Sequence, residues 1–199
     1  NIPQRHKSHI DKYVAYGLKA RHALVQRDYT AALAAAEEAL SAPAPIVAFE
    51  SIRNVNSIGA ANVMWGLGIQ TDQALGSWDI YAHMDADSKT TYSQARHLIS
   101  SWLYDRIPGT DERRAWWTSP DLPEEDWGAP GTENGSLSPW VQTKLVYSNV
   151  SASEGDHILM RKEEIALMAA EAACHLERFQ EARNYISMVG SMRDSNYAT

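Results

Sequence analysis

The apolar positions of this chain change period along its length. In residues 13–40, YVAYGLKARHALVQRDYTAALAAAEEAL, they recur every three or four residues, with Tyr13, Tyr16, Ala20 and Leu24 on one stripe. That spacing predicts helices over 8–25 and 29–41. Asp28 is placed to cap the second helix, and Glu37 and Glu38 fall on its outer face. The same make returns in 158–189, ILMRKEEIALMAAEAACHLERFQEARNYISMV, as a helix, a tight turn around 177–179 and a second helix. The two hairpins superpose. Ala20, Ala32 and Ala39 line up with Ala170, Ala182 and Val189 at identical separations, and Tyr29 lines up with Phe179. Small residues there let antiparallel helices approach closely, while the aromatic plugs the turn. This is the pattern of a tetratricopeptide-like repeat, and it predicts that the hairpins pack side by side.

Between them the period breaks. APAP at 42–45 stops the second helix. Residues 61–70, ANVMWGLGIQ, alternate as a short strand with Val63, Trp65, Leu67 and Ile69 on one face. Residues 71–92 read as a polar loop. SQARHLISSWLY at 93–104 reads as a short helix with Leu98, Ile99 and Trp102 inward. Residues 118–140 hold four of the eight prolines and read as a long loop, and 140–147 as a second strand. All seven tryptophans lie in this excursion. Long ordered loops on a helical frame are usually functional. The expected organisation over 1–199 is one domain fragment: a first helix pair at 8–41, an aromatic-rich insert at 42–157 and a second pair at 158–193. The fold class is mainly α, tetratricopeptide-like helix pairs with a large irregular insert carrying short strands.

Composition narrows the function. The formal charge is −7 and the pI near 5.5, with no cluster of Lys or Arg, so nucleic acid and anionic membrane surfaces are poor partners. Cys174 is the single cysteine, which excludes a disulfide framework and a zinc motif. Beside Ala173 on the apolar side of its helix, it is expected to be a buried thiol. No signal peptide, lipidation cysteine or long apolar run is present, and both ends look cut. The chain is expected to be a fragment or mature piece.

The tryptophans carry the candidate chemistry. Indole and phenol rings stack on the apolar C–H faces of sugars, with polar side chains taking the hydroxyls. Trp78 and Tyr81 sit in the polar loop GSWDIYAHMD beside Asp79, His83 and Asp85, either as ligand contacts or as loop anchors. Trp127 in EEDWGAP, Trp140, and one of the adjacent Trp116 and Trp117 (Trp117 being the nominated one) complete the candidate set. Trp65 and Trp102 are expected in the core. HMDADS at 83–88 begins like a calcium loop but lacks its later glycine and glutamate, so no metal and no cofactor is assigned. Arg161 and Glu164 are expected to pair structurally, and 124–126 to be a solvated acidic loop tip. No nucleophilic triad or phosphate-cradling loop is visible, and GLGIQ follows no βαβ pattern.

Several segments, in order, resemble the SusD/RagB family. Arg161-x-x-Glu164-Ile165 followed by Ala170-Glu171-Ala172 is similar to its R-x-x-E-(I/V) … A-E-A helix. GLKARHALVQRDYTAAL (17–33) resembles its earlier helix pair, NVMWGLGIQ (62–70) the strand that follows, and LISSWLYDRIPGTDERRAWW (98–117) the helix leading into a D-x-R element, here Asp111-Glu112-Arg113. Where the family often has N-x-x-R, this chain has Ser187 and Gly190, with Arg193 close by. The resemblance implies a non-catalytic glycan- or nutrient-binding protein at the surface of a Bacteroidetes-type outer membrane. It also implies a lipid anchor not in this chain and a SusC-like TonB-dependent transporter as partner. The helical frame would face the transporter, and the aromatic loops an oligo- or polysaccharide. A tetratricopeptide scaffold without a sugar ligand is the alternative, and a hydrolase using the carboxylates of 121–126 a third.

Overall fold

The computed structural model describes residues 6–52, 55–74, 76–85, 97–124 and 138–198. In chain order the elements are α1 (Lys12–Val25), α2 (Tyr29–Leu40), β1 (Val63–Leu67), α3 (Ile80–Met84), α4 (Ser101–Tyr104), β2 (His157–Arg161), α5 (Lys162–His175) and α6 (Phe179–Gly190), with short 3-10 turns between. The fold is mainly α, and its one sheet among the described residues pairs β1 with β2. No described helix is long and apolar enough to cross a membrane. The chain divides into two compact units. The first comprises Asn1–Ser51, Ile58–Leu67 and Ile158–Thr199, and the second Ile52–Ser57 and Gly68–His157.

The first unit holds both hairpins. α1 packs on α2, α5 on α6, and α2 on α5, so the hairpins lie side by side as the repeat predicts. The contact is close because it is made by alanine. Ala20, Ala32, Ala36 and Ala39 are fully buried with Ala169 and Ala173, around Val14, Met160 and Ile165. The matched Ala170 and Ala182 are buried too.

Both turns have the same construction. Arg27 and Glu177 each adopt φ 60°, the left-handed conformation. Asp28 N donates to Ala23 O at 2.9 Å and Arg27 N to Leu24 O at 2.9 Å; Arg178 N donates to Ala173 O at 2.9 Å and Glu177 N to Cys174 O at 3.0 Å. These are Schellman ends, which satisfy carbonyls that the last helical turn orphans. Asp11 and Asp28 cap α1 and α2 through Val14 N and Ala31 N. Lys162 Nζ donates to Leu40 O and, at 2.7 Å, to Ala42 O, closing the end of α2.

Several expectations are corrected here. Tyr29 stacks on His175 with centroids 4.0 Å apart and so joins the two hairpins, but its counterpart Phe179 is 55% exposed and plugs nothing. Cys174 is exposed, because the buried stripe of α5 runs through Ala169, Ala172 and Ala173 and places residue 174 outward. Glu164 pairs with Arg21 of α1 at 2.6 Å, not with Arg161. Arg161 is still extended (φ −125°, ψ 155°) as the end of β2, off the helix that carries Glu164. The second strand is 157–161 rather than 140–147, so the last helix pair starts at Lys162. β1 does not alternate cleanly, since Met64 is buried in the helical core and Leu67 is exposed.

The second unit is irregular and is held by side-chain bonds to backbone. Gln142 is buried and spends its whole amide on this work. Its Nε2 donates to Met84 O and Leu145 O, and its Oε1 accepts from Lys144 N and Leu145 N. The small apolar cluster of Tyr81, Ala82 and Tyr147 sits against Gly155, where an added Cβ would meet the Tyr81 ring at 2.7 Å. Gly155→Ala is expected to overpack this site and cost about 1–3 kcal/mol, read as a lower urea midpoint. An unchanged midpoint would mean that the ring has room to retreat.

Candidate functional site

The exposed tryptophans, Trp78 and Trp102, and one cavity lie in the second unit. Gly76, at φ 56°, opens a 3-10 turn, Gly76–Trp78, that leads into α3. Asp79 ends the turn and caps α3, its Oδ1 accepting from Tyr81 N at 2.9 Å while Oδ2 meets His157 Nε2 at 3.0 Å. This geometry sends the two nominated aromatics in opposite directions. Trp78 is 81% exposed, an indole offered to solvent. Tyr81 is 2% exposed and its hydroxyl donates toward Asp156 O (2.6 Å) and Val55 O (2.9 Å). Burial first, and then the charges of Asp79 and Asp156, push its hydroxyl pKa far up. Tyr81 is thus corrected from ligand contact to loop anchor.

The other tryptophans gather around a three-segment ladder. Residues 140–143 lie between 97–99 and 116–118. Ile99 N donates to Trp140 O and Gln142 N to His97 O; on the other side Thr118 N donates to Val141 O and Thr143 N to Trp116 O. The contacts are single bridges, Leu98↔Val141 and Trp117↔Gln142, so neither 140–147 nor 93–104 becomes the element its pattern predicts. α4 shrinks to Ser101–Tyr104 because Leu98 and Ile99 are extended in the ladder. Its buried residue is Tyr104. Trp102 is 61% exposed and carries the Arg106 guanidinium 3.8 Å over its ring, the reverse of a core residue. Trp65, in the first unit, does pack partly buried against the helical core. Trp140 is half-buried at φ 66°, an outlier for so bulky a side chain, held by bonds from its N–H to Thr118 O and from Ile99 N to its carbonyl. Its Nε1 is buried without a hydrogen-bond partner.

Below this ladder opens a cavity of about 380 Å³ whose walls include Leu103, Ile107, Trp116 and Trp117, with Arg106, Asp111 and Arg113 at its polar side. Asp111 builds that side. Its carboxylate, 4% exposed, caps the turn at Arg113 N and grips the Arg113 guanidinium at 2.6–3.1 Å. Arg114 turns the other way, donating to Ile107 O and lying 4.3 Å over Tyr104. Lys144 Nζ lies 4.2 Å over the Trp116 ring. Both Trp116 and Trp117 therefore line the cavity, rather than one facing in and one out. Trp78 and Trp140 do not line it. Trp127, together with Glu125 and Asp126, lies outside the described residues, as does the latter half of the 83–88 motif. The D-x-R element could be read from the sequence as a likeness; that its acid and base grip each other at a cavity wall could not.

No family model and no curated protein matches the sequence. Solved structures do match the fold. A SusD-like carbohydrate binding protein from Bacteroides vulgatus superposes with a TM-score of 0.79 at 22% identity, covering 100% of this chain and 41% of that one. A SusD superfamily protein from Bacteroides thetaiotaomicron gives 0.70 at 15% identity, over 97% of this chain and 44% of that one. Surface glycan-binding protein A of the same organism, in complex with laminarihexaose, gives 0.67 at 15% identity, over 100% and 50%. The chain thus spans at most half the length of these relatives, and over that length it has the SusD-like fold that its sequence resemblance to the SusD/RagB family implied.

Proposed function

We propose that this chain is part of a non-catalytic protein that binds an oligo- or polysaccharide at the bacterial cell surface. It would deliver the glycan to a SusC-like TonB-dependent outer-membrane transporter, and a lipid anchor would tether the protein to that membrane. The observation that carries the reading is the SusD-like fold, shared with a glycan-binding protein solved with laminarihexaose, combined with indoles left at the surface of the irregular unit. Trp78, Trp117, Trp140 and Trp127 remain the proposed contacts, and Trp102 joins them because of its exposure. An exposed indole beside polar groups suits a sugar face better than it suits water. Catalysis is not expected. Asp121 and Glu124 are both exposed at a loop surface, whereas glycoside hydrolysis needs two carboxyl groups set at a defined separation across the bond.

The test is retention of the full-length gene product on gels containing starch, laminarin, xylan, mannan or pectin, alongside a reducing-sugar assay. Retention by at least one glycan without sugar release is the expected result. Trp78→Ala should weaken that retention by about 1–3 kcal/mol. Absence of retention across the panel would count against a glycan ligand, and sugar release lost in Asp121→Asn would bring the hydrolase forward.

A further inference from the structure

The cavity beside Trp116 and Trp117 carries one guanidinium more than its carboxylate balances. Two guanidiniums and one carboxylate reach its lining in a chain whose formal charge is −7. Asp111 holds Arg113 by two parallel bonds, Nε to Oδ1 and Nη2 to Oδ2, which fixes the orientation of that fork at the wall. Arg106 is exposed and makes no ion pair among the described residues. It lies on the Trp102 indole and gives one N–H to Trp102 O at 3.1 Å. A stacked guanidinium keeps its donors in the plane of the group, where a planar carboxylate or a sulfate can take two at once. Lys144, over the Trp116 ring, adds a third cation to the neighbourhood. The acids next to these arginines in sequence, Asp105 and Glu112, are exposed and do not line the cavity. The volume suits a small ligand group rather than a single water.

Resting on the glycan-binding reading, we infer that this cavity receives an acidic sugar unit, one bearing a carboxylate or a sulfate. Arg106 and Arg113 take the anion while the indoles take the ring. The carboxylate and sulfate sources share one chemistry: an anionic group with several acceptor oxygens on an otherwise apolar-faced pyranose.

Calorimetry on the full-length gene product decides it, with four probes: an oligogalacturonate, its fully methyl-esterified form, chondroitin sulfate and laminarin. At least one anionic probe should bind roughly tenfold or more tighter than the methyl ester, the scale of a hydrogen bond to a charged group, and should weaken as NaCl is raised. Which anionic probe binds names the source. Arg106→Gln and Arg113→Gln should each reduce that affinity roughly tenfold. Arg106 has no buried partner, so its variant stays informative even if Arg113→Gln disturbs the turn. Equal binding of acid and ester, or acid binding undiminished in both variants, overturns the inference and leaves the glycan-binding reading standing. Laminarin binding alone does the same. Binding of nothing here or on the polysaccharide gels removes both.

Discussion

Replacing Arg193 with alanine is expected to destabilise the protein by about 3–5 kcal/mol, the usual cost of leaving one buried charge without its partner. Arg193 and Glu163 are both almost fully buried, with Arg193 Nη2 donating to Glu163 Oε1 at 3.0 Å. Asn62, itself wholly buried, gives its amide to both oxygens of the same carboxylate at 2.8–3.0 Å. The other arm of Arg193 donates to Val47 O. The Arg193–Glu163 pair in this way ties the first turn of α5 to the segment after α6, the connection after α2 and the approach to β1. The helix N-terminus adds its own attraction for the negative charge. Glu163→Ala should cost a similar amount by stranding Arg193. The double variant should cost less than the sum of the two, by a coupling of roughly 0.5–3 kcal/mol. Urea unfolding of the three variants reads this out, with the midpoint falling and the slope unchanged. If Arg193→Ala unfolds like the parent, the pair is not holding these segments.

This ion pair also marks how far the sequence could be read. The helical frame was legible because close packing of antiparallel helices demands small residues at fixed spacing, and alanines at matched positions record that demand directly. The turns were legible in place but not in kind, because their left-handed residues are Arg27 and Glu177 rather than glycine. The start of the last helix is hidden in the sequence because β2 ends in ILMR and flows into the apolar stripe of α5 without a break in composition. Arg193 stood three residues from the expected family position, but nothing local said that it would be buried against Glu163. In the insert, the number of aromatics signalled function, while their individual directions did not follow from pattern. Helical spacing predicts Trp102 inward, and it faces out because the ladder takes up Leu98 and Ile99 and leaves only one turn of helix. Side-chain direction there is set by bonds between distant segments, such as Gln142 to Met84, which no local window contains.

Trp78 and Tyr81 give the sharpest contrast, three residues apart and opposite in role. Tyr81→Ala is expected to cost about 3–5 kcal/mol, as for other large buried aromatics. It would empty the space between Tyr147 and Gly155 and strip the Asp156 and Val55 carbonyls of their donor. Trp78→Ala, on a side chain 81% exposed, should change stability by no more than about 0.5 kcal/mol. Tyr81→Phe separates the ring from the hydroxyl and should cost about 1 kcal/mol. The hydroxyl has a second signature. Its pKa in the folded protein is raised above the ordinary 10.0, chiefly by burial. The unfolded chain therefore releases this proton at lower pH than the folded one does. The contribution is fully present below pH 10 and is lost as pH rises from there toward the folded value. Stability measured between pH 9 and 11 should thus fall in the parent, and fall less steeply in Tyr81→Phe; Tyr147, raised to about 12 by burial first, supplies part of the remaining slope. Identical slopes in the two proteins, together with a Tyr81→Ala midpoint close to the parent's, would place the ring at the surface and return Tyr81 to the ligand set.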